Sequence, residues 1–268
     1  MQTRRVFPFA WSALLCGLTL AVGGSARAQT PQTSWQRSVE ASGTVLYGAA
    51  SQRVLNGLLA LSSESDARQL RADLQTGYGD AIDLVTRERR VIVRNTRGTF
   101  GIDLTPRARW SPFAFGLAET SLQQRLAARV SAGAGGKFTA WRPDSVRAGF
   151  QEDASMSLAF LSEQTRGLGQ TDSTRSAGVG TRHRWSLRLR YRTRVGDALR
   201  FSHLTLYQPT VDRVARYTME SISTLAVPLR SALELTLTHR ERLDSEARDR
   251  GAPSNRDGQL LFGVRASF

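Results

Sequence analysis

From Gln259 to Phe268 the chain reads QLLFGVRASF, with Leu260, Phe262, Val264, Ala266 and Phe268 on alternate positions and Gln259, Gly263, Arg265 and Ser267 between them. A period of two marks one face of a β-strand, because successive side chains point to opposite sides. The apolar face runs out to an aromatic residue. That is the ending expected of a strand that closes a transmembrane β-barrel, in which every strand edge must find a partner.

The sharpest alternation lies earlier. His183, Trp185, Leu187, Leu189, Tyr191 and Val195 occupy one phase, while Arg184, Arg188, Arg190, Arg192 and Arg194 occupy the other. No 3.6-residue period competes with it. The same reading predicts strands over 39–48, 53–61, 69–78, 89–100, 110–118 (Phe113, Phe115 and Leu117 alternating) and a Gly/Ala-rich 125–138. It continues over 146–161 (Met156, Leu158 and Phe160 in step), 183–195, 199–208, 217–227, 233–238 and 259–268. Turns are expected at Ser62–Asp66, Asp103–Arg107, around Pro143 and at Val195–Ala198, with longer loops over 162–180, 209–215 and 243–256. The glycines of 125–138 suit a close approach of chain to chain, or bends in a barrel wall.

The expected fold is therefore all-β, an antiparallel transmembrane β-barrel of about twelve strands. Connections after strands seven, nine and eleven are long and those after eight and ten are short. An even strand number with that asymmetry places both ends of the barrel on the periplasmic side. Trp185 and Tyr191, near opposite ends of one strand, suit interfacial aromatic girdles.

Composition changes the picture in two ways. Arg4 and Arg5, an apolar run from Trp11 to Val22 and Ala26-Arg27-Ala28 read as a cleaved secretory signal peptide over residues 1–28, which leaves 29–268 as one domain. The run falls short of a transmembrane helix. Cys16, the single cysteine, leaves with the signal, so neither a disulfide framework nor thiol chemistry is expected. The chain is also strongly basic, with 37 Lys and Arg against 23 Asp and Glu and Lys137 as its one lysine. Loss of Arg4, Arg5 and Arg27 leaves 34 against 23, a net +11. Export argues against nucleic acid as the partner. A phosphate-rich membrane surface, outer-membrane lipid and lipopolysaccharide, fits an arginine-rich protein better.

The last third resembles the domain of unknown function 481 (DUF 481) family, whose members are often called salt-induced outer membrane proteins. The resemblance rests on LRLRYRTRVGDALRFSHLTLYQPTVD, on VPLRSALELTLTHRERLDSE and on the closing strand, with looser agreement over 35–61 and 125–138. It implies an outer-membrane barrel and brings no catalytic residue. It further implies that the closing strand, through Phe262, Val264 and Phe268, is the signal read by the barrel-assembly machinery. The expected product is a monomer.

For chemistry, the face of Arg184, Arg188, Arg190, Arg192 and Arg194 is the main candidate. Facing a lumen it would attract anions. Equally it could be a structural network paired with carboxylates of other strands, such as Glu40, Asp73, Glu152, Glu220 and Glu234, since a desolvated and unpaired row is costly. The activity expected is passive permeation of small solutes or envelope maintenance. A lipase- or protease-type hydrolase is the alternative, resting on His183, His203 and His239 and on plentiful serines, but no G-x-S-x-G appears. A secreted all-β binding protein is the other. No metal or cofactor motif appears, and the glycines at 133, 135 and 136 do not form a phosphate loop.

Overall fold

The structure, a computed structural model, describes residues 35–46, 52–65, 67–82, 86–143, 150, 152–168, 181–196, 198–230 and 232–268. The expected signal peptide lies outside the described residues. Twelve strands follow in order: β1 (Trp35–Leu46), β2 (Gln52–Glu64), β3 (Arg68–Ile82), β4 (Arg89–Leu104), β5 (Trp110–Ser121), β6 (Leu126–Trp141), β7 (Asp153–Gly167), β8 (Thr181–Val195), β9 (Leu199–Pro209), β10 (Tyr217–Arg230), β11 (Leu233–Asp244) and β12 (Arg256–Ser267). Each pairs antiparallel with its neighbours in sequence, and β12 returns to β1, closing the barrel. The seam runs from Ser38 opposite Ser267 to Gly43 opposite Phe262. Beyond the end of β12, Phe268 still exchanges two backbone hydrogen bonds with Arg37, of 2.9 and 3.0 Å.

Alternation decides which side chains enter the barrel. Arg190 faces Ser155 and Leu204, and Arg188 faces Ser157 and Leu206, so the arginine phase of β8 points inward. Trp185, Leu189 and Tyr191 point outward, as do Met156, Leu158 and Phe160 of β7 and Leu260, Phe262 and Val264 of β12, all of them exposed. A slip of β8 by one residue would turn its arginines toward the outside. At about 2–4 kcal/mol for each arginine in the middle of a bilayer, the register is strongly specified. Arginines that do face outward, such as Arg37, Arg53 and Arg89, sit at strand ends.

The near end of the barrel, where β1 begins and β12 ends, carries Trp35, Trp110, Trp141 and Phe268 on its outer surface. Connections at this end are short, two residues between β10 and β11 and three between β8 and β9, except for residues 142–152. Gly196 turns β8 into β9 at φ 65°, a conformation that L side chains rarely adopt. At the far end the connections over 168–180, 210–216 and 245–255 are longer.

The sequence expectation for two strands is corrected. Strand β7 begins at Asp153 rather than at residue 146, and Ser162–Gly167, read as loop, continue it; β11 likewise runs on past Thr238 to Asp244. The apolar alternation stops where these strands leave the apolar band, but inward ion pairs take over and hold the ladder: Glu163 on β7, Arg242 and Asp244 on β11. For β5 alternation alone left the facing open. Phe113, Phe115 and Leu117 point into the barrel, opposite Gly135, Gly133 and Ser131 of β6, while Trp110, Pro112, Ala114 and Gly116 face out. The inward phase is set by its ends, where Ser111 donates to the Leu104 carbonyl and Glu119 meets Arg129 and Arg242.

Candidate functional site: an arginine-lined lumen

The lumen contains three tiers. At the far end lies a buried ion network centred on Arg129, whose guanidinium meets Glu119 at 3.0 Å, Asp244 at 2.7 Å and Glu163 at 3.6 Å. The Arg129 side chain is 4% exposed and those of its three partners 3% or less, so these charges are almost wholly withdrawn from solvent. Each carboxylate has a second arginine: Arg242 on Glu119 at 2.5 Å, Arg250 on Asp244 at 2.7 Å and Arg184 on Glu163 at 3.0 Å. The 245–255 connection joins in. Its Glu246 pairs with Arg182, lies 3.6 Å from Arg216 and 3.8 Å from Arg184, and Arg250 donates to the Gln124 carbonyl. A fully buried Ala247 completes the fold of this connection over the far mouth.

The near end holds smaller clusters. Asp153, 1% exposed, accepts from Arg190 at 3.1 and 3.2 Å and from Arg192 at 2.5 Å. Lys137 pairs with Asp103, and Arg200 with Glu234. Arg265 donates twice to Glu40, at 2.7 and 2.9 Å, using the planar fork that lysine lacks. From the 142–152 connection, Glu152 accepts from the Arg194 backbone N–H at 2.8 Å, and the Phe150 ring lies 5.5 Å from the Arg200 guanidinium.

Between the ends the wall changes character. A cavity of about 400 Å³ is lined by Arg71, Arg97, Arg188, Arg190, Arg240 and Arg265 against three carboxylates, Glu40, Asp73 and Glu220. Phe115, Leu117, Leu204, Leu206 and Ile222 supply an apolar belt around it. It shares Gln75, Arg97, Glu220 and Arg240 with a cavity of about 40 Å³ toward the far end. Toward the near end it shares Arg71, Phe115, Arg188 and Arg190 with one of about 70 Å³. The three spaces thus follow one another along the axis. The Arg97–Glu220 pair, which Arg240 joins at 3.7 Å, lines both the middle and the far space. Arg188, which stands over the Phe115 ring 5.7 Å from its centroid, lines both the middle and the near space.

The five arginines singled out on β8 therefore divide. Arg184, Arg190 and Arg192 are held by carboxylates, and Arg194 is held through its backbone by Glu152. Arg188 has no ion pair among the described residues. Of the acids proposed as partners for this row, only Glu152 meets it. Glu40 and Glu234 serve Arg265 and Arg200, Glu220 serves Arg97, and Asp73 accepts from Thr99. Glu163 and Asp153, one strand away, do the pairing instead, which only the register of β7 on β8 reveals. Sequence reading also missed Arg71, Arg97 and Arg129. They carry no run of arginines to mark them, though Arg129 shares the inward phase with Ser131 and Lys137.

The histidines all lie on the outer surface. His203 Nδ1 is 2.8 Å from Ser223 Oγ and its Nε2 2.8 Å from Thr205 Oγ1, while His183 Nδ1 is 3.0 Å from Ser162 Oγ. Both hydrogen-bond partners of the His203 ring are hydroxyls rather than a carboxylate, and the surrounding backbone N–H groups belong to the strand ladder. Among the described residues no group of three or more His, Cys, Asp and Glu is placed to hold a metal ion.

Residues 39–268 match the model of the family described as protein of unknown function, DUF481. The chain belongs to this family. No curated protein matches it. Among solved structures, the NanC porin superposes with a TM-score of 0.44 at 12% identity, covering 86% of this chain and 97% of that one. The transport unit of the autotransporter AIDA-I from Escherichia coli gives 0.36 at 10% identity, over 91% and 93%. The outer membrane channel DcaP of Acinetobacter baumannii gives 0.39 at 8% identity, over 87% and 96%. Each of these is a likeness of fold alone.

Proposed function

We propose that this DUF481 protein is an outer-membrane barrel that lets small anions pass through a narrow, arginine-lined lumen. Support for the membrane location is the inversion of ordinary burial. Leucine, valine, phenylalanine and tryptophan cover the outside, ionised side chains fill the inside, and aromatic residues ring the near end. Export by a cleaved signal, insertion by the barrel-assembly machinery and contact with lipopolysaccharide belong to the same reading. Support for passage is the succession of three cavities along the axis, with six arginines against three carboxylates around the widest. A barrel built only for stability would pair its charges or fill the belt with apolar side chains.

Planar-bilayer recordings in a potassium chloride gradient test the proposal. The expected result is a small conductance whose reversal potential favours chloride, reduced by Arg188→Gln and Arg190→Gln. Absence of current, or current indifferent to both changes, defeats the anion passage. Recovery of the protein from the soluble periplasm, without heat-modifiable migration, defeats the barrel's location.

A further inference from the structure

Six arginines line the middle of the lumen. Arg97, Arg190, Arg240 and Arg265 each have a carboxylate partner. Arg71 and Arg188 do not. The Arg71 guanidinium donates to Gln69 Oε1 at 2.6 Å, and the Arg188 guanidinium stands over the Phe115 ring. Neither has an ion pair among the described residues, although Asp103 and Asp73 are near the same spaces, because Lys137 takes the first and Thr99 donates to the second. Both arginines line the middle cavity and the near one, so their charges meet at the junction of the two.

A pair of aromatic rings adjoins that junction. The Phe113 and Phe115 rings stack with centroids 6.0 Å apart and planes inclined by 22°. Phe115 is flanked in register by Gly101 on β4 and Gly133 on β6, and Phe113 has Gly135 beside it. Glycine thus flanks Phe115 on both sides and Phe113 on one, its other neighbour being Asp103. Glycine at 133 and 135 is also enforced from the other side, since a Cβ at 133 would sit 2.5 Å from the Phe160 carbonyl oxygen. Leu204, Leu206 and Ile222 form the facing wall. Two guanidiniums without an ion pair among the described residues, beside two phenylalanine rings where the spaces of about 400 and 70 Å³ meet, suit one class of solute: a carboxylate on a flat, apolar body. The carboxylate would take bidentate hydrogen bonds from arginine, and the body would lie on the phenylalanines.

We infer that the lumen holds a binding subsite for aromatic carboxylates, made by Arg71 and Arg188 with Phe113 and Phe115. It rests on the reading of the lumen as an anion passage and specifies what that passage prefers.

The test uses the whole protein in nanodiscs, with empty nanodiscs as the blank, and 2-naphthoate as the probe. Isothermal titration is compared with glucuronate, which keeps the charge on a polar body, and with 2-naphthalenemethanol, which keeps the body without the charge. Naphthoate is expected to bind about tenfold or more tightly than either control. Arg188→Gln and Arg71→Gln should each remove about that factor, and Phe115→Leu should weaken naphthoate while leaving glucuronate unchanged. Should Arg188→Gln fail to fold, Arg188→Lys keeps the charge, loses the fork, and should still lower naphthoate affinity. The same protein in planar bilayers separates the two proposals. Naphthoate binding without conductance keeps the subsite and removes the passage. Conductance with equal affinity for naphthoate and glucuronate keeps the passage and overturns the subsite.

Discussion

Replacing Arg129 by methionine tests whether the far-end network holds the barrel together. Methionine keeps most of the stem and removes the charge from among Glu119, Glu163 and Asp244, all of them buried. Breaking a buried pair by deleting one partner costs about 3–5 kcal/mol, because the charge left behind stays out of water. Here each carboxylate keeps a second arginine, Arg242, Arg184 or Arg250, which moves the expectation to the lower end, about 3 kcal/mol. With a urea dependence of about 3 kcal/mol per molar, the unfolding midpoint falls by about 1 M. The assay is urea unfolding of the refolded barrel in lipid vesicles, followed by tryptophan fluorescence. Arg256→Ala is the control. Its pair with Glu241 lies at the surface, with the arginine side chain 69% exposed, so its loss should cost less than about 1 kcal/mol. Equal midpoints for Arg129→Met and Arg256→Ala would refute the reasoning and mean that the network's charges are solvated in the folded barrel.

Three further outcomes follow from the same geometry. Gly135→Ala should abolish heat-modifiable folding, because its Cβ would run into the Leu158 carbonyl and lie 2.5 Å from Ala159 Cα, whereas Gly136→Ala, with nothing within 4 Å, should fold as the parent does; gel migration with and without heating reads both. Deleting Phe268 removes both backbone hydrogen bonds to Arg37 at the seam and should lower the urea midpoint by the equivalent of about 1–3 kcal/mol, with an unchanged midpoint counting against a closing role. Glu220→Gln removes a negative charge from the lining shared by the middle and far spaces while Arg97 and Arg240 remain. It should shift the bilayer reversal potential further toward chloride, and an unchanged potential would mean that ions do not pass this pair.

Much of the architecture was legible because a barrel in a membrane has one rule for its wall: every strand alternates, and one phase meets lipid. The Arg/apolar alternation of 183–195 and the apolar phase of 259–268 therefore identified strand, faces and closure without any partner in view. Twelve strands and the placement of the long connections followed from the same pattern. Where strands outrun the apolar band the rule lapses. The ends of β7 and β11 carry polar residues on both faces, and inward ion pairs rather than apolar contacts hold them. The wrong partners proposed for the β8 arginines have the same origin. Ion pairs across a lumen depend on register and on which strand lies next door, and composition says neither.

By itself the sequence determined a closed, arginine-filled β-barrel, because alternation with period two is a local property that survives without neighbours. Only the tertiary structure decided which phase of β5 turned inward. It brought Arg129 together with acids from β5, β7 and β11, and left Arg71 and Arg188 unpaired beside two phenylalanine rings. Those are relations between strands far apart in the chain. They exist only once the sheet has curled round and its register has put one row of side chains opposite another.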